Sequence, residues 1–339
     1  MTEDTEVNSP KNQLLAAIGP EVIKIEEVMR CDLQAVVGQA DPLLVEILDY
    51  GIFNGGKRLR PLLAVQAARL CGLQGDNIYD LAIAFEYLHA ATLFHDDVID
   101  RADTRRGKPS VSKAFGEIAA ILGGDFLHSR SMFLIGSHGG RAALEIFCRA
   151  TNAMVDGEFL QLRNARNHNL SEEDYFSVIR GKTALLLAAT CEVGALAAGA
   201  SLSQQQALSR YGLNLGTAFQ IVDDLLDYQG DAKQTGKAVG NDFQEEKMTL
   251  PLISALTSAT QKDKQRLLFL LENDEARRTG FSEAFALIDK YDGFSLSRNR
   301  AENLIADAVA ELDIFSDESV LPPVKTLRVL AEYVLTRNK

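Results

Sequence analysis

Tryptophan is absent from this chain of 339 residues, and there are only four cysteines, five histidines and eight prolines. Cys31, Cys71, Cys148 and Cys191 are widely spaced and form no C-x-x-C pair, which argues against a clustered zinc site. Cys71, Cys148 and Cys191 lie among apolar neighbours and read as buried small hydrophobes in a reducing compartment. Positive charge is also in deficit. Lys and Arg number 35 against 47 Asp and Glu, a net charge of −12, so a nucleic-acid backbone is a poor partner for the chain as a whole. No run of about 18 apolar residues is free of charge, so no transmembrane helix is expected. The longest apolar stretch, ALLLAATCEVGALAAGA from Ala184, is interrupted by Glu192 and reads as a helix buried in a bundle. The acidic, polar start MTEDTEVNSP resembles neither a secretory signal nor an Arg-rich transit peptide, so a cytoplasmic location is expected. Alternating Val, Ile and Thr runs bounded by turns do not occur, which leaves little room for sheet.

Helical patterning is abundant. Hydrophobic residues make up 46% and charged residues 24%, a globular composition that excludes collagen-like, mucin-like and disordered classes. Apolar residues recur at three- and four-residue spacing in segment after segment, as in LAIAFEYLHAATLFHDDVID from Leu81. Ser171, with Asp174 three residues on, marks one helix start, and Ser203 marks another. The pattern predicts an all-α protein of roughly a dozen helices, most of them longer than the average of about 11–12 residues. No linker or composition shift divides it, so one domain is expected over 13–339, with residues 1–12 disordered.

Three segments break the pattern: NGGKRLRP from Asn54, DRADTRRGKPS from Asp100, and QGDAKQTGKAVGNDFQEEKMTLP from Gln229. A break as long as the last is uncommon within a helical domain and usually functional. Each break lies beside aspartates or basic residues. Asp96, Asp97 and Asp100 share a helix face at i, i+1, i+4 spacing, and Asp223, Asp224 and Asp227 repeat it in an equally apolar setting, with Asp231 one turn on. Three carboxylates on a largely buried face repel one another and lose hydration unless a cation neutralises them. Oxygen-only ligands suit a hard ion such as Mg²⁺, which completes its shell with water and phosphate oxygens. Basic residues supply the other half: Lys57, Arg58 and Arg60, then Arg105 and Arg106, Lys182, Lys237 and Lys247. In so acidic a chain, basic residues beside acidic clusters read as phosphate ligands, whereas Lys108, Lys113 and Lys233 read as surface charges.

In order, GGKRLRP, LFHDDVIDRADTRRGKPS, GDFL, GEFLQL, GKTA and GTAFQIVDDLLDYQGD followed by GKAVGNDFQEEKMTLPL resemble the trans-prenyltransferases, the polyprenyl diphosphate synthase family. The resemblance runs from about residue 12 to the closing LAEYVLTRNK. The first aspartate motif lacks the two-residue insertion of some bacterial short-chain synthases. The resemblance implies a single helical bundle of the isoprenoid synthase type around a central active-site cavity. It implies that Asp96, Asp97, Asp100, Asp223, Asp224 and Asp227 hold Mg²⁺, three ions per site with substrate bound. It implies that Lys57, Arg60, His89 and Arg106 bind isopentenyl diphosphate, and that Arg105, Lys182, Thr183, Gln220, Lys237 and Lys247 contact the diphosphate of an allylic partner. It also implies a homodimer with no nucleic acid, and transient membrane contact for product release.

The expected reaction is metal-assisted ionisation of the allylic diphosphate, attack by the isopentenyl double bond, and proton loss to the departing diphosphate. A class I terpene cyclase would carry Asn, Ser and Glu on its second motif and need no GGKRLRP. A non-catalytic partner subunit usually loses part of the aspartate or basic set, which is complete here. Product length rests on the helix before Asp96. At about 1.5 Å per residue, Ala91 lies roughly 7.5 Å below the aspartate, Thr92 beside it and Leu88 a turn deeper. The short-chain members place large aromatics at the first two positions. Small residues there predict a long product of roughly eight isoprene units, unless Phe126 or Phe133 closes the tunnel and gives a farnesyl or geranylgeranyl product.

Overall fold

Helix ends follow local chemistry along the whole chain. The computed structural model describes residues 10–38, 40–167, 171–230 and 239–337. α1 spans Pro10–Val37, α2 Pro42–Ile52, α3 Leu59–Leu70 and α4 Ile78–Ile99. A hairpin of β1 (Thr104–Arg105) and β2 (Lys108–Pro109) precedes α5 (Val111–Phe115) and α6 (Glu117–Leu134). A π-helical turn, Ile135–Gly139, leads into α7 (Gly140–Asn167). α8 (Glu172–Ile179) runs through a second π-helical turn, Arg180–Ala184, into α9 (Leu185–Ala197), and α10 is Leu202–Gln229. Shorter helices follow: α11 (Asn241–Gln244), α12 (Leu250–Ser258), α13 (Gln261–Glu272), α14 (Asp274–Thr279), α15 (Phe281–Lys290), α16 (Gly293–Ala310) and α17 (Leu321–Thr336).

The all-α expectation holds, with more and shorter helices than periodicity suggested. Ser171 caps α8 by accepting the Asp174 N–H at 3.1 Å. α10 starts earlier than expected: Leu202 is already helical, and Ser201 Oγ, not Ser203, accepts the Gln204 N–H. The disorder expected over 1–12 falls outside the described residues for its first nine positions, and Pro10 opens a helix. Cys191 is buried, but Cys71, at the C-terminal cap of α3, and Cys148 are only half-buried. The run Glu117–Asn164 contains a window apolar enough to cross a membrane by length and composition, which a charge-free-run criterion misses because Asp125 and Arg130 interrupt it. Much of that apolar surface is a stripe on α6: Ile118, Ile121, Leu122, Met132 and Phe133 are all exposed.

The chain divides into two compact units. One comprises residues 1–148, 189–209 and 315–327; the other comprises 149–188, 210–314 and 328–339. In the first, α4 packs most closely on α6. Glycines allow that approach: a Cβ at Gly124 would strike the His95 ring, and one at Gly123 would lie 3.1 Å from the Phe94 ring. Gly194, near the end of α9, likewise presses on Ala64 of α3, so the Ala/Gly-rich stretch is a buried bundle helix as expected. In the second unit, α12 packs on α15 and α16. Gly157 of α7 meets the turn after α8 backbone to backbone: its Cβ would lie 2.8 Å from Lys182 N, and one at Gly181 would lie 2.9 Å from Ala153 O.

Candidate active site

In the first unit, the aspartates close α4. Asp97 is 1% exposed, Asp96 half-buried and Asp100 exposed at the helix end. Asp97 Oδ1 accepts a 2.6 Å hydrogen bond from Arg105 Nε. Arg105 therefore lies on a carboxylate in this structure, a pairing that spacing did not suggest. The hairpin brings it there. Its two-residue turn is Arg106–Gly107, both with positive φ (53° and 77°), the conformation that matches strand twist in a tight hairpin. Gly accepts that φ freely and Arg106 does not, so the arginine is held in place, with Nη1 donating to Gly55 O. Asp97, Arg105 and Arg106 line one hollow with Tyr50, Asn54 and Ser110.

A cluster of positive charge surrounds His89. Burial first, and then Arg60, Arg106, Arg105 and Arg58, hold its imidazole well below the usual histidine range, so it is neutral at pH 7. Arg60 Nε is buried without a hydrogen-bond partner, and burial lowers the pKa of that guanidinium. Of these four arginines, Arg105 lies on Asp97 and Arg58 on Glu26 and Glu86, which leaves Arg60 and Arg106 as the pair that an anion would complete. Lys57 is exposed in the same loop. Arg58, grouped with these by sequence, is turned into the core.

The second unit gathers the other set. Gln161, Tyr175, Lys182, Gln220, Asp223, Asp224, Asp242 and Lys247 line a cleft of about 190 Å³. Asp224 is 9% exposed and accepts from Tyr175 Oη at 2.7 Å. Burial and then Asp242 push its carboxyl well above the usual range. Burial and Asp242 push Asp227 up to about 6, even though Asp227 Oδ2 accepts the Asp242 N–H at 3.0 Å. Asp223 is exposed and pairs with Arg337 Nη2 at 3.1 Å. Arg337 also donates to Phe219 O and stacks on the Phe219 ring at 3.6 Å. Lys182 pairs with Glu158 at 2.7 Å on the π-helical turn, which widens the backbone where Thr183 lies half-buried. Lys247 pairs with Asp242 and Glu245, at 3.0 and 2.7 Å. Lys237 and Asp231 lie outside the described residues.

Asp242, Tyr175, Glu158 and Arg337 were not singled out from sequence. They share no spacing with the aspartate motifs: Glu158 and Tyr175 come from α7 and α8, Asp242 from α11 and Arg337 from the chain end. Among the described residues, no three acidic or histidine side chains converge as a complete metal shell. The cluster Asp223, Asp224, Asp227 and Asp242 still fits a hard cation. It offers only oxygen donors, and two of its carboxyls are raised first by burial and then by the charge of Asp242, a repulsion that a divalent ion would relieve.

The wall below Asp96 differs in detail from expectation. At about 100° per residue, Thr92 lies roughly 40° from Asp96 around α4 and Ala91 roughly 140°. Thr92 is half-buried, while Ala91 and Leu88 are buried at 1% and 2% exposure. Phe133 is 57% exposed and Phe126 half-buried. Phe85, eleven residues before Asp96 and roughly 20° from it, lies about 16.5 Å down the helix. It is fully buried and packs edge-on against Phe147 with centroids 5.5 Å apart.

Comparison with known proteins agrees with this geometry. The polyprenyl synthetase family model matches residues 41–288. Octaprenyl diphosphate synthase of Escherichia coli is 38% identical over 301 residues, 87% of this chain and 93% of its own. Geranylgeranyl diphosphate synthase of Sulfolobus acidocaldarius is 35% identical over 305 residues, 88% and 92% of the two chains. Among solved structures, decaprenyl diphosphate synthase of Rhodobacter capsulatus superposes with a TM-score of 0.87 at 36% identity, covering 97% of this chain and 99% of that one. A polyprenyl synthase of Caulobacter crescentus, complexed with calcium and isoprenyl diphosphate, gives 0.85 at 35% identity, covering 97% and 98%. With oxygen-rich and basic clusters in place and matches of this extent, the chain belongs to the polyprenyl synthetase family and is a prenyltransferase.

Proposed function

We infer that the protein elongates an allylic diphosphate with successive isopentenyl diphosphates to an all-trans, long-chain polyprenyl diphosphate. The observation that carries this reading is the single cleft where Lys182, Gln220, Asp223, Asp224 and Lys247 meet. Lysines and carboxylates together suit a metal-bridged diphosphate. Asp96, Asp97 and Asp100, with Asp223, Asp224 and Asp227, would hold Mg²⁺, three ions per site with substrate bound. Mg²⁺ would supply charge neutralisation for the diphosphate as a leaving group. Lys182, Lys247, Gln220, Thr183, Arg105 and Lys237 would orient that diphosphate and stabilise the charge that develops on it. Each described lysine of this set is paired with a carboxylate here, so substrate would displace Glu158 from Lys182 and Asp242 from Lys247.

Isopentenyl diphosphate would occupy the arginine cluster, held by Lys57, Arg60, Arg106 and His89. Its double bond would attack the allylic cation, and a proton would pass to the released diphosphate. Neutral His89 donates or accepts one hydrogen bond there without adding to the charge. The test is radiolabelled isopentenyl diphosphate with several allylic primers, followed by chromatographic sizing of the product. Lys57→Ala and Arg60→Ala should raise KM for isopentenyl diphosphate about tenfold or more, and Lys182→Ala should act on the allylic KM, since each loses a charge-assisted contact. Equal effects on both substrates would refute the assignment.

The exposed α6 face supports a homodimer: Ile118, Ile121 and Leu122 at one end and Met132 and Phe133 at the other are apolar surface that a second copy would cover. Light scattering giving the 37.1 kDa of one chain at micromolar concentration would overturn it. Four unpaired thiols support a reducing, cytoplasmic setting. A product of this length is strongly apolar, so its release would bring the enzyme into transient contact with a membrane.

A further inference from the structure

Arg58 is the residue of the Gly-rich loop that sequence placed with the phosphate ligands and that the fold withdraws from them. Its side chain is 2% exposed. Its backbone is left-handed, with φ 50° and ψ 37°, at the residue that opens α3. Left-handed backbone is uncommon for a residue with a Cβ and persists where surrounding contacts hold it. Here three contacts do, all at 2.9 Å. Nε donates to Glu26 Oε1 on α1, Nη1 to Glu86 Oε1 on α4, and Nη2 to the carbonyl of Ile52, the last residue of α2.

One guanidinium therefore ties the start of α3 to three other helices, and its neighbours Lys57 and Arg60 are the two loop cations left facing outward or without a partner at Nε. Glu86, itself 5% exposed, also acts on Arg60 and Arg106, where its charge opposes the effect of burial. It is a buried carboxylate amid these arginines.

We propose that Arg58, clamped by Glu86 and Glu26, is a positioning residue of the isopentenyl diphosphate site, setting the places of Lys57 and Arg60, with Glu86 as the built-in counter-charge of the arginine cluster. The proposal rests on the reading that Lys57 and Arg60 bind this substrate. Lysine cannot replace Arg58, because one ammonium on a flexible stem does not reach three acceptors in fixed directions.

The test is steady-state kinetics with each substrate varied, together with thermal denaturation, on Arg58→Gln, Arg58→Lys and Glu26→Gln, with Lys57→Ala as reference. Glu26 is the milder partner: its side chain is 37% exposed, and its loss leaves Arg58 bonded to Glu86 and Ile52, so this variant keeps the fold. Expected is a KM for isopentenyl diphosphate raised about tenfold in Arg58→Gln, several-fold in Glu26→Gln, and only partly restored in Arg58→Lys, with the allylic KM unchanged. A purely structural role would lower Tm without an isopentenyl-specific shift, and that result in Glu26→Gln overturns the proposal even if Arg58→Gln fails to fold. If Lys57→Ala itself leaves the isopentenyl KM unchanged, the site assignment fails, and the Arg58 proposal fails with it. If Lys57→Ala shifts that KM and the Arg58 and Glu26 variants do not, only the Arg58 proposal fails.

Discussion

Asp96→Ala and Asp223→Ala should each lower kcat by about a thousandfold or more, and excess EDTA should abolish turnover. The size follows from what the carboxylates are asked to do. A diphosphate leaves slowly while its charge is unscreened, and removing a preorganised electrostatic contact at a developing charge typically costs about 10²–10³ in rate. Each aspartate would act through a bound ion and would also help hold the substrate's diphosphate, so the effects compound. Both side chains are accessible, Asp96 half-buried and Asp223 exposed, so truncation leaves no cavity in the core. The helical circular-dichroism signal of each metal-free variant should match that of the parent, which separates lost chemistry from lost fold, while Asp223→Ala, which takes a partner from the buried Arg337, should also lower Tm.

The pH dependence of metal binding has a definite sign. Asp227 is raised to about 6, so between its unfolded value and 6 the folded protein holds a proton that the unfolded chain has released. A cation must displace that proton, so Mn²⁺ or Mg²⁺ affinity should weaken as pH falls through 6. Titration calorimetry across that window reads it directly. Unchanged affinity from pH 7 to 5 would remove the Asp227 argument, and full activity in EDTA would remove the metal reading.

The second large effect is on product length. Thr92→Phe should shorten the main product to about three or four isoprene units while condensation continues. Thr92 stands one turn below Asp96 on nearly the same face and is half-buried, so it is not locked into close packing as Ala91 is. Ala91→Phe, expected from sequence to do the same, points about 140° away into close packing. Overpacking there should cost stability and shorten the product less cleanly. The Phe85–Phe147 pair lies deeper, about 16.5 Å along α4. Chromatographic sizing of the products of wild type, Thr92→Phe and Ala91→Phe decides the matter. A wild-type product that stops at fifteen or twenty carbons, or a Thr92→Phe product of unchanged length, would sink the account of the tunnel wall.

Much of the site was legible because its chemistry is local. The spacing of Asp96, Asp97 and Asp100, and of Asp223, Asp224 and Asp227, is a property of one helix turn, and 3.6-residue periodicity places such residues on one face whatever surrounds them. Helical class, the Ser171 cap and the three breaks in the pattern are local in the same sense. Tertiary structure decided which members of each set turn inward. Spacing made Asp97 equal to Asp96, but the hairpin carries Arg105 onto Asp97 and buries it. Arg58 looked like Lys57 and Arg60 until a left-handed φ sent it among Glu26, Glu86 and Ile52. Asp242 and Arg337 gave no signal at all. They reach the second aspartate cluster from 15 residues beyond Asp227 and 114 beyond Asp223, and no local pattern encodes a contact made by chain return. The residue types and their spacing determined which chemistry this protein can do. The paths of its loops, set by packing and by a few buried ion pairs, decided which side chain does each part.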